Sequence, residues 1–172
     1  MQQRTSPWLV YALILMGALS RLVPHAWNTT PVTAIALFAG VYLPKRWAIA
    51  IPLAIVAVTD FIIGWHNTVP FTWAAFALCG MLGFWVRKKL GFGRIAFATL
   101  GGSVLFFLVT NFGVWVMGEL YPRTLTGLWS CFVAAIPFFR NTLAGDILYT
   151  TAFFGLPRLF AAAPARPIAS SG

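Results

Sequence analysis

The side chains that could take part in chemistry are few in this sequence, and they lie near the ends of long apolar runs. Among 172 residues there are three acids, two histidines and twelve lysines and arginines. A guanidinium binds carboxylates and phosphates, while carboxylates, amides and imidazoles hold other polar groups. This pattern predicts a binding site for a small organic molecule. The residues predicted to contact the molecule are His25, Asn28, Asp60, Asn111, Arg140, Asn141 and Asp146.

Arg140 and Asp146 are the most informative of these residues, because they lie within or at the edge of an apolar run. Ionisable groups in such places are costly, and they usually pair or face a cavity. The two are six positions apart, so on one helix their side chains point in different directions. We therefore expect Arg140 to reach Asp60, Glu119 or an anionic group of a ligand. A structural salt bridge and a ligand contact are both open.

Cys79 lies in an apolar run, where a thiolate could bind a soft metal ion. A buried free cysteine more commonly acts as a small apolar side chain, and the sequence leaves both interpretations open. The motifs of zinc proteases, serine hydrolases and P-loop nucleotide-binding proteins are missing from the sequence. We therefore predict no catalytic residue.

The elements that hold these residues are predicted to be transmembrane helices. The chain is 60% hydrophobic and 9% charged, whereas soluble domains carry about 25% charged residues. Proline, glycine and charged residues divide the chain into runs that suit membrane spans, including runs at 47–63, 71–86 and 95–117. We predict an all-α membrane protein with about six transmembrane helices and one short interfacial or re-entrant helix at 125–139. Residues 1–160 would form a single transmembrane domain, and residues 161–172 a disordered cytoplasmic tail.

The first two apolar runs raise separate questions. The run Trp8–Leu19 is predicted to be a retained helix rather than a signal peptide, because a bulky and charged segment follows it instead of a cleavage site. The run Thr30–Leu43 is shorter than the roughly 20 residues that cross the hydrocarbon core. We expect it to be extended at its ends or to lie in thinned bilayer.

The net charge of +9 is distributed unevenly among the predicted loops. If six spans begin inside, nine of the twelve basic residues face the cytoplasm and three face outward. The nine are Arg4, Lys45, Arg46, Arg87, Lys88, Lys89, Arg94, Arg158 and Arg166. If residues 125–139 also crossed, the bias would be eight against four. The six-span count places both termini in the cytoplasm and the site outside. It also accounts for the basic composition, so no nucleic-acid partner is expected.

Three segments carry distinctive motifs. They are R-x-x-P-H-x-x-N at Arg21–Asn28, T-N-F-G-V-W at Thr110–Trp115 and I-P-F-F-R-N-T-L-x-G-D at Ile136–Asp146. On these motifs, and over about residues 20–155, the chain resembles an uncharacterised family of bacterial integral membrane proteins. The resemblance implies a location in the bacterial inner membrane, and it implies no activity.

The order of the polar residues is also similar, more distantly, to that of the S components of energy-coupling-factor vitamin transporters, especially the solitary cobalamin transporters. The counterparts would be His25, Asp60, Cys79 and Arg140. The resemblance implies that the substrate is a vitamin such as cobalamin, that Cys79 binds its cobalt, and that an energising transporter module is a partner. The A-x-x-x-A signature that S components use for this module is not clear in the first span, where Met16 follows Ala12.

Three functions fit the sequence. The first is a membrane uptake protein that holds a small organic substrate in an outward-facing cavity, with no chemical turnover and no cofactor apart from a substrate such as cobalamin. The second is a membrane-embedded enzyme that acts on a lipid or a quinone, with His25 or Asp146 as acid or base. The third is an accessory subunit of a membrane complex. The lipid bilayer is a partner in all three, and the first also requires a small-molecule ligand.

Overall fold

The computed structural model describes residues 7–22, 29 and 31–162 of the chain. These residues form six α-helices and no strands, so the predicted all-α fold is confirmed. The helices are α1 (Pro7–Leu19), α2 (Val32–Tyr42), α3 (Lys45–Ile63), α4 (Val69–Arg87), α5 (Phe92–Met117) and α6 (Leu125–Ala162). Most of the predicted tail, residues 163–172, lies outside the described residues.

Four of the helices are long and apolar enough to cross a membrane. They are α3, α4, α5 and the part of α6 up to Pro157. Large apolar side chains such as Phe61, Phe97 and Leu148 are exposed on these helices, which suits contact with lipid. The helices α1 and α2 have 13 and 11 residues, fewer than the roughly 20 that a crossing requires.

The short helix α2 lies at the centre of the bundle. It packs against all five other helices, and residues 34–39 are at most 2% exposed. Because its neighbours are protein rather than lipid, its length does not have to match the thickness of the bilayer. The structure therefore differs from the expectation of an extended helix or a thinned bilayer: the short apolar segment is enclosed by the longer helices.

Glycines allow α2 and α4 to approach each other closely. A Cβ atom added at Gly83 would lie 2.5 Å from the carbonyl oxygen of Leu37 and 2.6 Å from the Cα atom of Gly40. Such contact between backbones requires residues without a side chain. Next to this contact between α2 and α4, Arg87 donates hydrogen bonds to the carbonyl oxygens of Gly40 and Leu43. These carbonyls lie at the C-terminal end of α2, where the helix has no further backbone N–H groups to bond them. Arg87 therefore stabilises the end of the central helix.

The last helix, α6, is continuous over 38 residues. The segment 125–139, predicted as a separate short helix, and the last span, predicted at about 141–160, both belong to α6, so the predicted break near Arg140 does not occur. Pro137 lies inside the helix without ending it. Proline removes one backbone hydrogen bond, and membrane helices accommodate this where their neighbours compensate.

The two ends of the bundle differ in charge. The α2–α3 and α4–α5 connections lie at one end, which we call the basic end. The basic residues in or beside these connections are Lys45, Arg46, Arg87, Lys88, Lys89 and Arg94. The α3–α4 and α5–α6 connections lie at the opposite end. The C-terminal end of α1 is there too, because Arg21 contacts Asp60 near the end of α3.

Candidate functional site

A cavity of about 340 Å³ lies between α4, α5 and α6, in the half of the bundle away from the basic end. Thr72, in the first turn of α4, and Val114, in the last turn of α5, mark its position along the helices. The residues Arg21 and Thr33 reach it from the segment after α1 and from α2. Ligand pockets in proteins have volumes of roughly 300–1,000 Å³, so this cavity can hold a small organic molecule.

Aromatic rings form much of the cavity wall. The five phenylalanines that line it are Phe76, Phe106, Phe107, Phe138 and Phe139. The ring centroids of Phe76 and Phe106 are 5.1 Å apart, and those of Phe107 and Phe139 are 4.9 Å apart. These separations are typical of interacting aromatic pairs, so the rings support one another across α4, α5 and α6. The wall offers flat apolar surfaces to a planar ligand.

The polar groups of the cavity mostly offer hydrogen-bond acceptors. The hydroxyls of Thr72, Thr110 and Thr142 each donate to a backbone carbonyl four residues earlier, at 3.3, 2.8 and 3.3 Å. A hydroxyl has one hydrogen, so each keeps lone pairs that a ligand can use. The side-chain amide of Asn111 donates to the carbonyl oxygen of Phe107 at 2.8 Å, and it has a second N–H and an oxygen.

A buried ion pair lies beside the cavity. Arg21 Nη2 is 2.7 Å from Asp60 Oδ1, and the two side chains are 11% and 4% exposed. The indole N–H of Trp73 donates to Asp60 Oδ2 at 3.0 Å, while Arg21 also donates to the hydroxyl of Thr59. Both carboxylate oxygens of Asp60 are therefore satisfied. Of the partners expected for Arg140, Asp60 is already paired with Arg21.

A second polar group lies behind the cavity. Asp146 of α6 is completely buried. Its Oδ2 atom accepts a hydrogen bond from the hydroxyl of Ser103 on α5 at 2.6 Å. The hydroxyl of Thr33 on α2 lies against the same carboxyl group, and Thr33 also lines the cavity. Thr33 therefore connects the cavity with the buried acid.

Three of the predicted ligand contacts lie in or next to this region. Asn111 lines the cavity. Asp146 contacts Thr33, which lines the cavity. Asp60 is paired with Arg21, which also lines the cavity. The structure thus brings these three predicted residues into one half of the bundle, although only Asn111 is part of the cavity wall.

The other predicted ligand contacts are placed differently. Arg140 and Asn141 are exposed on α6 and do not line the cavity. A role for them in binding a ligand stays a prediction. His25 and Asn28 lie outside the described residues.

Cys79 is buried in α4, where it faces α5. Its sulfur is 3.7 Å from the carbonyl oxygen of Gly102. Within residues 7–22, 29 and 31–162, no three histidine, cysteine, aspartate or glutamate side chains gather where they could hold a metal ion. The role of Cys79 as a cobalt ligand stays a prediction.

Sequence reasoning did not place several residues that build this region. Arg21 was placed only in an outer loop, and Thr33 and Ser103 are single hydroxyls in apolar runs. One signal was available: Arg21 and Asp60 have opposite charges and lie at span ends that the predicted topology puts on the same side. For Ser103 no such signal exists, because its pairing with Asp146 depends on how α5 and α6 pack.

The sequence matches one protein family along nearly its whole length. Residues 1–167 match a family described as a family of unknown function (DUF6580). This match confirms the predicted membership of an uncharacterised family. Comparison with curated proteins and with solved structures gives no match. The similarity to vitamin-transporter S components stays a prediction.

Proposed function

The chain belongs to the family of unknown function DUF6580, and we propose that it binds a small organic molecule in the cavity and serves its uptake across the membrane. The cavity itself is the observation that supports this most directly. A space of about 340 Å³ with aromatic walls and a few polar groups has the character of a ligand site. The proposed activity is binding and passage, with no chemical turnover.

The lining favours one class of ligand. The aromatic walls suit a planar body of one or two rings. The threonine hydroxyls offer acceptors, so the ligand would carry N–H or O–H donors. The charge of Arg21 is balanced by Asp60, so the site does not require an anionic ligand. A vitamin-sized heteroaromatic compound fits this description. Cobalamin is larger than the cavity and would require the bundle to open.

The proposed orientation places the basic end in the cytoplasm of a bacterium, with the protein in the inner membrane. Lysines and arginines are enriched in cytoplasmic loops of membrane proteins. Both termini would then lie in the cytoplasm, and the cavity would be nearer the outer surface. An energising transporter module is one candidate partner for the uptake step.

This orientation predicts how two introduced cysteines will react. In intact cells, His66→Cys in the α3–α4 connection should be labelled by a membrane-impermeant maleimide, and Lys89→Cys in the α4–α5 connection should not. Both positions are exposed, whereas Cys79 and Cys131 are buried and give little background. Labelling after lysis is the control for Lys89→Cys. Labelling of Lys89→Cys alone in intact cells would mean the reverse orientation.

The binding proposal predicts saturable binding of a compound from a panel of vitamins, with cobalamin as its largest member, to the purified protein in detergent. Asn111→Ala should weaken that binding by roughly two- to twelvefold, because a lost hydrogen bond costs about 0.5–1.5 kcal/mol. Isothermal titration calorimetry measures both affinities, and thermal unfolding confirms that the variant is folded.

The matched control is Arg140→Ala, which removes an exposed cation outside the cavity wall. If the ligand lies in the cavity, as proposed here, the affinity of this variant should equal that of the wild type, whereas the predicted contact of Arg140 with a ligand would lower it. Loss of binding in Arg140→Ala but not in Asn111→Ala would move the site to the surface of α6. If the folded protein binds no compound of the panel, the uptake proposal fails, and an enzyme or an accessory subunit becomes the better hypothesis.

A further inference from the structure

Asp146 is a buried acid near the middle of the bundle. Its side chain is 0% exposed. Its partner Ser103 is 11 residues from the start of α5 at Phe92, which corresponds to about 16 Å along the helix axis. Among the described residues the one ion pair joins Arg21 to Asp60, so Asp146 has none there. Ionisable groups at this depth are costly and are commonly functional.

The hydrogen bonds of Ser103 indicate whether Asp146 carries a proton. The hydroxyl oxygen of Ser103 is 2.6 Å from Asp146 Oδ2 and 3.0 Å from the carbonyl oxygen of Thr99. A hydroxyl has one hydrogen, so Ser103 can donate to only one of these two acceptors. If Asp146 carries a proton, it donates to Ser103, and Ser103 donates to Thr99. Both contacts are then hydrogen bonds.

The second oxygen of the carboxyl group supports the same state. Asp146 Oδ1 is buried and has no hydrogen-bond partner among the described residues. An unpaired oxygen costs much less in a neutral carboxyl group than in an ionised one. Asp60, by contrast, is also buried, but it accepts hydrogen bonds on both oxygens and is paired with Arg21. The two buried aspartates are therefore in opposite environments.

Among the described residues, the polar groups near Asp146 come from three neighbouring helices. They are Thr33 on α2, Cys79 on α4 and Ser103 on α5. Of these, Cys79 is titratable, and none of the three can supply a positive charge. Among the described residues, only a proton on Asp146 itself can therefore neutralise the carboxylate.

A further pair of hydroxyl groups lies between Asp146 and the basic end. The hydroxyl oxygens of Thr99 and Thr150 are 3.4 Å apart, one turn below Ser103 and Asp146 on the same two helices. Thr99 and Thr150 also line a groove of about 420 Å³ between α5 and α6. On the other side, Thr33 lines the cavity. The Ser103 hydroxyl contacts the carbonyl oxygen of Thr99 and not its hydroxyl, so the described residues link Asp146 to the cavity but form no continuous hydroxyl relay to this groove.

We propose that Asp146 is a proton-binding site that exchanges protons with the cavity through Thr33. Binding adds a proton from water to one carboxylate oxygen, and release returns it to water, so no other reactant is required. If the proposed uptake function holds, on which this last step rests, ligand binding in the cavity and proton binding at Asp146 would influence each other through Thr33.

The test is infrared spectroscopy of the full chain in lipid vesicles at neutral pH, without any ligand. The wild type should show the carbonyl band of a protonated carboxyl group, and this band should shift after transfer to D2O. Asp146→Asn, which has nearly the same shape as the protonated acid, should lack the band. Thr33→Val, which replaces the hydroxyl by a methyl group, should keep the band and slow its shift in D2O by roughly two- to twelvefold, because one hydrogen bond on the route to the cavity is lost.

The control is Glu119→Gln, which replaces an exposed acid and should leave the band unchanged. Ser103→Ala provides a second variant if Asp146→Asn does not fold, and it should move the band to a higher frequency. Absence of the band in the wild type, or its persistence in Asp146→Asn, would overturn the proton site. Equal exchange rates in Thr33→Val and the wild type would overturn the route from the cavity. Because no ligand is used, a failure to find a bound vitamin leaves these results unaffected.

Discussion

Replacing Asp60 by alanine is expected to lower the free energy of unfolding by about 3–5 kcal/mol. The change leaves the guanidinium of Arg21, which is 11% exposed, without its carboxylate, and it removes the acceptor of the Trp73 indole. A buried charge that loses its partner keeps the cost of desolvation without the compensating attraction. Denaturation by sodium dodecyl sulfate in mixed micelles, followed by circular dichroism, measures the change.

The matched control is Glu119→Ala, which removes an acid that is exposed and makes no ion pair among the described residues. Its effect should stay within about 0.5 kcal/mol. The double variant Arg21→Met, Asp60→Leu should recover much of the loss, because apolar residues of similar volume can replace a buried pair. A small effect of Asp60→Ala, similar to that of Glu119→Ala, would mean that the pair is solvated in the membrane protein.

Three of the four long helices could be predicted from the sequence, because charged residues, proline and glycine mark their ends, whereas α6 was predicted as two segments. The runs predicted at 47–63, 71–86 and 95–117 correspond to α3, α4 and α5 with differences of up to three residues. Lysines and arginines cannot stay in the hydrocarbon core, so they mark the limits of a span regardless of tertiary packing.

The central helix could not be predicted in the same way. The length of the run that contains α2 shows only that it is too short to cross. Whether such a run lies in lipid or is enclosed by other helices depends on the close contact of Gly40 with Gly83. Contacts between distant glycines leave no periodic signal in a single sequence.

The candidate site was predicted only in part for a related reason. Residue type alone identified Asp60, Asn111 and Asp146 as unusual, and the structure places all three in or near the cavity region. The partners of the two acids could not be derived. Arg21 and Asp60 are 39 positions apart, and Ser103 and Asp146 are 43 apart. Their pairing follows from helix packing and not from spacing along the chain.

The contact between α2 and α4 leads to the second large expected effect. Gly83→Ala should lower the free energy of unfolding by about 1–3 kcal/mol, because its Cβ would lie 2.5 Å from the carbonyl oxygen of Leu37 and 2.6 Å from the Cα of Gly40. These atoms belong to the backbone, so the helices must move apart, and α2 contacts every other helix. The same denaturation in mixed micelles measures the loss.

Gly80→Ala, three residues earlier on the same helix, separates this cause from a general effect of losing glycine. A Cβ at Gly80 would lie 3.5 Å from its nearest neighbour, a side-chain atom of Ile49, which is ordinary contact. Alanine also favours the helix over glycine by up to about 1 kcal/mol, so Gly80→Ala should be neutral or slightly stabilising. If the two variants lose equal stability, close contact with α2 is not the reason for glycine at position 83. If Gly83→Ala alone is destabilised, the backbone contact is what holds the short central helix in place.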